Sequence, residues 1–272
     1  MKEITSPSNE IIKETVRYAS KASARKDDGV FVAEGTKLVI EAPSSSVRRL
    51  FVSEGCFEDL AKEKGKIFEA FEKLCGGLPD EDVIKVPDHV FEKLSTMKTP
   101  QGMLAVLKAP SFSEEDICGK DVPLILVLED IQDPGNVGTI FRTAEAAGVS
   151  GIVLTPGCAD PLSPKVVRAS MGAIFRVPFI IKEDLPETVV ELEKKGITCY
   201  AARLDAAESY DKSDLSSPCA LLIGNEGNGL SKNVVDKASK GIFIPMSGKT
   251  ESLNAAVSAS ILSYEARRQR ND

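Results

Sequence analysis

"IFIPMSGKTESLNAAVSASILSYEARRQ" (Ile242–Gln269) runs from an apolar strand through a loop of glycine, serine and asparagine into a helix. The loop contains Gly248-Lys249-Thr250, the ending of a phosphate-binding P-loop. A P-loop needs its first glycine five residues before Gly248, and that position is Phe243, inside the apolar run "GIFIP". Gly241 comes two residues too early. The cradle of backbone N–H groups would lack its first turn, so a nucleoside triphosphate site is rejected. The glycines of "GNEGNG" (Gly224–Gly229) run Gly-x-x-Gly-x-Gly, the reverse of a dinucleotide fingerprint.

Two further segments share this strand–loop–helix grammar. They are "DIQDPGNVGTIFRTAEAAGV" (Asp130–Val149) and "LLIGNEGNGLS" (Leu221–Ser231). The apolar runs "PLILVLED", "GIVLTP", "VPFII", "ITCYAA", "CALLIG" and "GIFIP" alternate with helical segments. That alternation predicts a mostly parallel sheet covered on both faces, and periodicity alone reads as doubly wound. Loops of this kind gather at the carboxyl edge of such a sheet, where ligands bind.

Upstream, "NEIIKETVRYASKA" has helical spacing with a start near Ser6-Pro7. "GVFVAEG", "VRRLFVSEG", "DVIKV" and "GMLAVLKA" read as strands, and "TKLVIEA" and "FEDLAKEKGKIFEAFEKL" as helices, the latter with a break at Gly65. The polar, acidic "PSFSEEDICGKDVP" (Pro110–Pro123) reads as a linker. The expected organisation is an α/β domain over 1–109, a linker over 110–121 and a second domain over 122–272.

Composition narrows the chemistry. Of 272 residues 42% are apolar, enough for a sizeable core. No apolar run reaches membrane-spanning length and the N-terminus lacks a signal-like apolar stretch, so the expected location is cytoplasmic. Six scattered cysteines include no Cys-x-x-Cys, and there is a single histidine, His89, so no metal site is expected. His89 sits at a helix start after Pro87 and reads as a surface residue. A net charge of −7 argues against indiscriminate nucleic-acid binding but allows a local basic footprint. Lys13, Arg17, Lys21 and Arg25 recur every four residues and would form one stripe on a continuous helix, with Arg48 and Arg49 nearby. Lys165, Arg168 and Arg176 form a second candidate patch.

Together the three loop segments resemble the three motifs of the SpoU (TrmH-type) RNA ribose 2′-O-methyltransferases of the SPOUT superfamily, over residues 122–270. "SARKDDGVFVAEGTKLVIEA" resembles the small substrate-binding domain, similar to a ribosomal-protein fold, that precedes many of them. The resemblance implies an α/β SPOUT parallel sheet with a C-terminal deep trefoil knot, and S-adenosylmethionine as cofactor. It implies cofactor contacts from Gly224, Asn225, Gly227, Ile244, Met246 and Leu253. It places the chemistry on Arg142, Asn136, Glu226, Ser252 and Asn254, with Arg142 in the key role. It also implies a homodimer with a shared active site. The expected substrate is structured RNA, most naturally 23S rRNA. The alternatives are a tRNA ribose methyltransferase or a non-catalytic RNA-binding relative.

Attack of a 2′-hydroxyl on a sulfonium methyl requires in-line alignment and removal of the hydroxyl proton. A guanidinium stays protonated in proteins, so Arg142 acts either as a base in an unusual site or by holding phosphate and polarising the hydroxyl. Asn225 and Glu226 could instead cap a helix near Leu230, and Ser252 could cap the helix that follows it. Lys249 and Thr250 match no motif position.

Overall fold

The computed structural model describes residues 1–248 and 252–271, so Lys249 and Thr250 lie outside the described residues. The chain divides into two compact units, Met1–Pro110 with Leu162–Phe175, and Ser111–Pro161 with Arg176–Asp272.

In the first unit β1 (Lys2–Glu3), α1 (Glu10–Ser20), α2 (Ala22–Asp28), β2 (Val30–Glu34), α3 (Thr36–Ile40) and β3 (Val47–Ser53) come first. They are followed by α4 (Glu54–Glu63), α5 (Lys66–Gly76), β4 (Val83–Val86), α6 (Asp88–Leu94) and β5 (Met103–Lys108). The five-stranded sheet has the order β1-β4-β3-β5-β2. Only β5 runs antiparallel to its neighbours. Tyr18, Phe51, Ile84, Phe91 and Leu104 belong to its core.

The first helix starts later than Ser6-Pro7. Its cap is Asn9, whose side chain accepts from Ile11 N at 2.9 Å. The helix also does not continue through residue 25. Lys21 is extended at φ −122° and ψ 120°, which separates α1 from α2. The expected single basic stripe therefore does not form. Its last member, Arg25, is buried and donates to Tyr18 O at 2.9 Å. The break between α4 and α5 falls at Lys64-Gly65, as the spacing indicated, with Lys64 left-handed at φ 45°.

The second unit opens on α7 (Glu114–Cys118) and continues with β6 (Leu124–Leu128), α8 (Pro134–Ala147) and β7 (Gly151–Leu154). Next comes α9 (Pro164–Ala169), which belongs to the first unit and packs against β2. In the same segment the Phe175 ring packs tilted against Phe31 with ring centroids 6.2 Å apart. The second unit resumes with β8 (Phe179–Ile181), α10 (Leu185–Lys194), β9 (Thr198–Ala202) and β10 (Glu208–Ser209). It ends with β11 (Cys219–Ile223), α11 (Lys232–Val235), β12 (Lys240–Phe243) and α12 (Ala255–Asn271).

The stretch read as a linker is a docked helix. Ser113 and Asp116 form a reciprocal cap at its start, and Ile117 is buried with Ile125 and Val153. Glu114 pairs with Lys182, and with Lys195 at 2.8 Å. The acidic composition serves a helix N-terminus and an ion pair here, not a solvated tether.

The seven-stranded sheet has the order β10-β12-β9-β11-β6-β7-β8, and every pair is parallel. Strands β6 and β11 are buried along their whole length, as expected when helices cover both faces. From β6 the chain steps outward to β7 and β8, then crosses to place β9, β11 and β12 on the other side. Reversal of strand order opens a crevice at the carboxyl ends, and the three motif loops leave the sheet there.

Candidate functional site

Each motif loop is fixed by its own hydrogen bonds before it meets the others. After β6, Asp130 turns left-handed at φ 54°. The strained turn is held by Thr155 Oγ1, which accepts from Asp130 N at 2.9 Å and donates to Asp130 Oδ1 at 2.6 Å. Asp133 then caps α8 by accepting from Asn136 N at 2.9 Å, with Pro134 in the first turn. Asn136 is thereby set on the first turn of a helix.

After β11 the chain closes on itself. Asn225 and Gly229 exchange backbone hydrogen bonds of 3.1 and 2.9 Å. A Cβ on Gly224 would lie 2.1 Å from the carbonyl carbon of Gly229, so only glycine permits this crossing. The Asn225 side chain accepts from Gly227 N at 2.9 Å and donates to Asp130 O at 2.8 Å, joining the second loop to the first. Asn225 and Glu226 do not cap α11. Ser231 does so, accepting from Val234 N at 3.4 Å.

Asn254 joins the third loop. Its Oδ1 accepts from Ala256 N at 2.9 Å and Val257 N at 3.3 Å, so Asn254 rather than Ser252 caps α12. Its Nδ2 donates to Asn136 Oδ1 at 2.9 Å, and Asn136 Nδ2 donates to Glu226 Oε1 at 2.6 Å. The carboxylate can only accept, so both amide orientations follow from it. One polar chain, Glu226–Asn136–Asn254, thus locks the three loops together. Among the described residues Glu226 Oε2 has no partner.

Beside this chain lies a cavity of about 680 Å³. Every residue expected to touch a cofactor lines it: Gly224, Asn225, Gly227, Ile244, Met246 and Leu253. Glu226 and Ser252 line it too, while Asn136, Arg142 and Asn254 do not. The carboxyl end of β9 was not anticipated. Ala202 to Asp205 form part of the wall, with Arg203 Nε 3.1 Å from Asp205 Oδ1. Lys232 and Asp236 add a cation and an anion. The carboxyl-edge rule could have found Arg203 and Asp205, because "ITCYAA" already reads as a parallel strand.

Arg142 is exposed on α8 and makes no hydrogen bond or ion pair with any described residue. At 3.6 residues per turn it stands about 240° round the helix from Asn136, so it projects from a different face.

Among the described residues no cluster of three metal-ligating side chains occurs. No described helix is long and apolar enough to cross a membrane. All six cysteines are free, and burial pushes every thiol up, Cys219 to about 11, so none is a ready thiolate nucleophile at neutral pH. His89 is exposed on α6 in the first unit, away from these loops in the chain.

The basic residues sort by partner. Lys13 pairs with Glu10 at 2.8 Å, Arg17 with Asp28 at 3.1 Å, and Arg49 with Glu14. Arg48 donates to Asp28 O at 3.3 Å, and Arg176 pairs with Glu145. Lys165 and Arg168 stand on α9, where Arg168 donates to Thr96 Oγ1 at 3.4 Å.

Comparison with known proteins agrees with this architecture. Residues 123–264 match the model of the SpoU rRNA Methylase family, and residues 9–105 that of the MRM3-like substrate binding domain. The chain is 32% identical to the 23S rRNA (guanosine(2553)-2′-O)-methyltransferase RlmP of Bacillus subtilis, covering 98% of this chain and 100% of that protein. It is 34% identical to an uncharacterized tRNA/rRNA methyltransferase of Synechocystis, covering 98% and 93%. The crystal structure of an AdoMet-bound rRNA methyltransferase from Sinorhizobium meliloti superimposes with a TM-score of 0.84 at 29% identity, covering 98% and 97%.

Proposed function

The chain belongs to the SpoU rRNA methylase family, and from that premise we propose that it transfers a methyl group from S-adenosylmethionine to a ribose 2′-hydroxyl of 23S rRNA. The observation that carries this reading is the Glu226–Asn136–Asn254 chain beside the cavity, because it brings all three motif loops to one place. Full-length likeness to a 23S rRNA 2′-O-methyltransferase supports the substrate. Likeness to an AdoMet-bound rRNA methyltransferase supports the cofactor.

The cavity fits that cofactor. Its volume of about 680 Å³ falls within the range of sites for ligands of this size. Ile223, Ile242, Ile244 and Leu253 give it apolar walls, and the Gly224–Gly229 loop gives it backbone donors and acceptors. Asp205, Glu226 and Asp236 complement a cationic ligand, while Arg203 and Lys232 complement a carboxylate. When bound, S-adenosylmethionine supplies a methyl group activated on a sulfonium.

The chain's own residues hold the ribose and move its proton. Asn136 and Asn254 act by positioning, since both are consumed in the polar chain. Glu226 keeps one oxygen free to accept from the ribose hydroxyl. Arg142 holds the RNA phosphate and favours the developing alkoxide. Ser252 contacts substrate at the cavity rim. The first unit grips the RNA, supported by its match to a substrate-binding domain.

The same reading gives α12 a place in a deep trefoil knot. It also pairs two copies, with the active site shared between them. Exposed Val257 and Tyr264, seven residues apart on one face of α12, support that pairing. A cytoplasmic location follows from the substrate.

Calorimetry with S-adenosylmethionine and with ATP tests the reading, together with labelled methyl transfer to separated tRNA and rRNA. Binding of S-adenosylmethionine and labelling of rRNA are expected. Binding of ATP alone would refute the assignment.

A further inference from the structure

The self-neutralised cations of α1 leave open where the first unit meets RNA. A different part of that unit combines cations without acids. Three segments converge around the end of β2: Thr36–Leu38 at the start of α3, the loop Ser95–Gln101, and α9. They contribute Lys37, Lys98, Lys165 and Arg168, and contain no Asp or Glu.

Their convergence is held by side chains. Buried Glu34 accepts from Ser95 Oγ, and at 2.9 Å from both the backbone N and the Oγ1 of Thr96. Gln101 Oε1 accepts from Thr36 N at 3.1 Å, and Thr36 Oγ1 donates to Gln101 O at 3.4 Å. Arg168 reaches Thr96, and α9 itself packs on β2. The one acid at the centre is thus turned inward and saturated. Lys37, Lys98 and Lys165 are exposed, and among the described residues none of the four cations pairs with an acid.

We infer that this surface, and not α1, is where the first unit contacts the phosphodiester backbone of the substrate RNA. The inference rests on the reading of the chain as an RNA methyltransferase. Phosphate attracts cations that no acid of the protein already holds. The hydroxyl of Thr99 and the Nε2 amide group of Gln101, neither committed to a partner among the described residues, suit phosphate and 2′-hydroxyl partners, the groups through which structured RNA is recognised by shape. Arg17 and Lys13 would first have to break ion pairs within the protein.

The test is filter binding of transcribed 23S rRNA to the full chain across a salt series. The variant carries Lys37→Gln, Lys98→Gln, Lys165→Gln and Arg168→Gln, all on accessible side chains. Its log affinity should fall less steeply with log salt, by a slope of about 3, and affinity at moderate salt should drop at least about 10-fold. S-adenosylmethionine affinity should stay at the wild-type value, which shows that the second unit is intact, and an unchanged circular-dichroism spectrum and urea midpoint should show that the first unit is folded. Lys13→Gln with Arg17→Gln should cost under about 3-fold. Unchanged binding by the fourfold variant overturns the inference and points the surface at an acidic protein instead. An equal or larger loss from the α1 pair also overturns it. A wild-type chain that binds no RNA overturns the inference and the functional reading together, so the two failures are separable.

Discussion

Asn136 donates from Nδ2 to Glu226 Oε1 at 2.6 Å, across 90 residues of sequence. The contact is charge-assisted and short, and it fixes the amide of Asn136 so that its carbonyl faces Asn254. Asn136→Asp places two carboxylates together and removes the donor. Methyl transfer should fall at least about 100-fold, with the loss partly relieved as pH drops and one acid is protonated. Asn136→Ala should fall about 10-fold or more without that pH dependence. A pH–rate profile of the two variants checks this; matching profiles would show that the contact has no electrostatic role.

The second loop depends on the missing side chain of Gly224. Its Cβ would stand 2.1 Å from backbone of Gly229, which cannot yield as a side chain would. Gly224→Ala should weaken S-adenosylmethionine binding by at least about 10-fold while leaving most of the unfolding free energy intact. Titration calorimetry reads the first quantity and urea unfolding the second.

Arg270 clamps the end of α12. Its guanidinium donates to Leu215 O and Val122 O at 2.9 Å, to Ser217 O at 2.7 Å and to Pro123 O at 3.2 Å. Arg270→Ala leaves these carbonyls without their donor and should cost about 2–4 kcal/mol in urea unfolding. Lysine lacks the planar fork, so Arg270→Lys should recover only part of the loss.

Glu114 ties α7 to the rest of the second unit through two lysines, which pull its carboxyl pKa from the ordinary 4.5 down to about 2. A depressed folded pKa stabilises above the ordinary value, and that contribution is lost as pH falls from 4.5 towards about 2. The carboxylate is 40% exposed, so solvent screening limits the effect to under about 1 kcal/mol. Glu114→Gln should therefore be slightly less stable than wild type at neutral pH. The gap should narrow between about pH 5 and pH 3. Paired unfolding curves at the two ends of that window measure it.

The parallel sheet was legible because β6, β7, β9 and β11 are short apolar runs closed by turn residues. The two-residue strands β1 and β10 carry no period to read. The break at Lys21 has no glycine or proline to announce it; it shows only in the extended backbone there and in the burial of Arg25. Val166, Ile174 and Phe175 look in sequence like core of the second unit. Their grouping with the first depends on packing against β2 and Phe31, which no local pattern encodes. In the site, the resemblance of the motif loops pointed to Gly224, Asn225 and Asn254. Pairing Asn136 with Glu226 needed the crossover that brings β11 beside β6. Arg203 was passed over because an arginine after a strand is ordinary until the cavity shows what it borders.

The central claim concerns which atom receives the methyl group. Wild-type chain and Arg142→Ala are incubated with labelled S-adenosylmethionine and 23S rRNA, and the RNA is digested to nucleosides for mass analysis. A 2′-O-methylated ribonucleoside is predicted from wild type. Arg142→Ala, which leaves the cavity lining untouched, should bind the cofactor normally and yield at least about 100-fold less of that product. Label on a base, or undiminished ribose methylation by Arg142→Ala, would contradict the account.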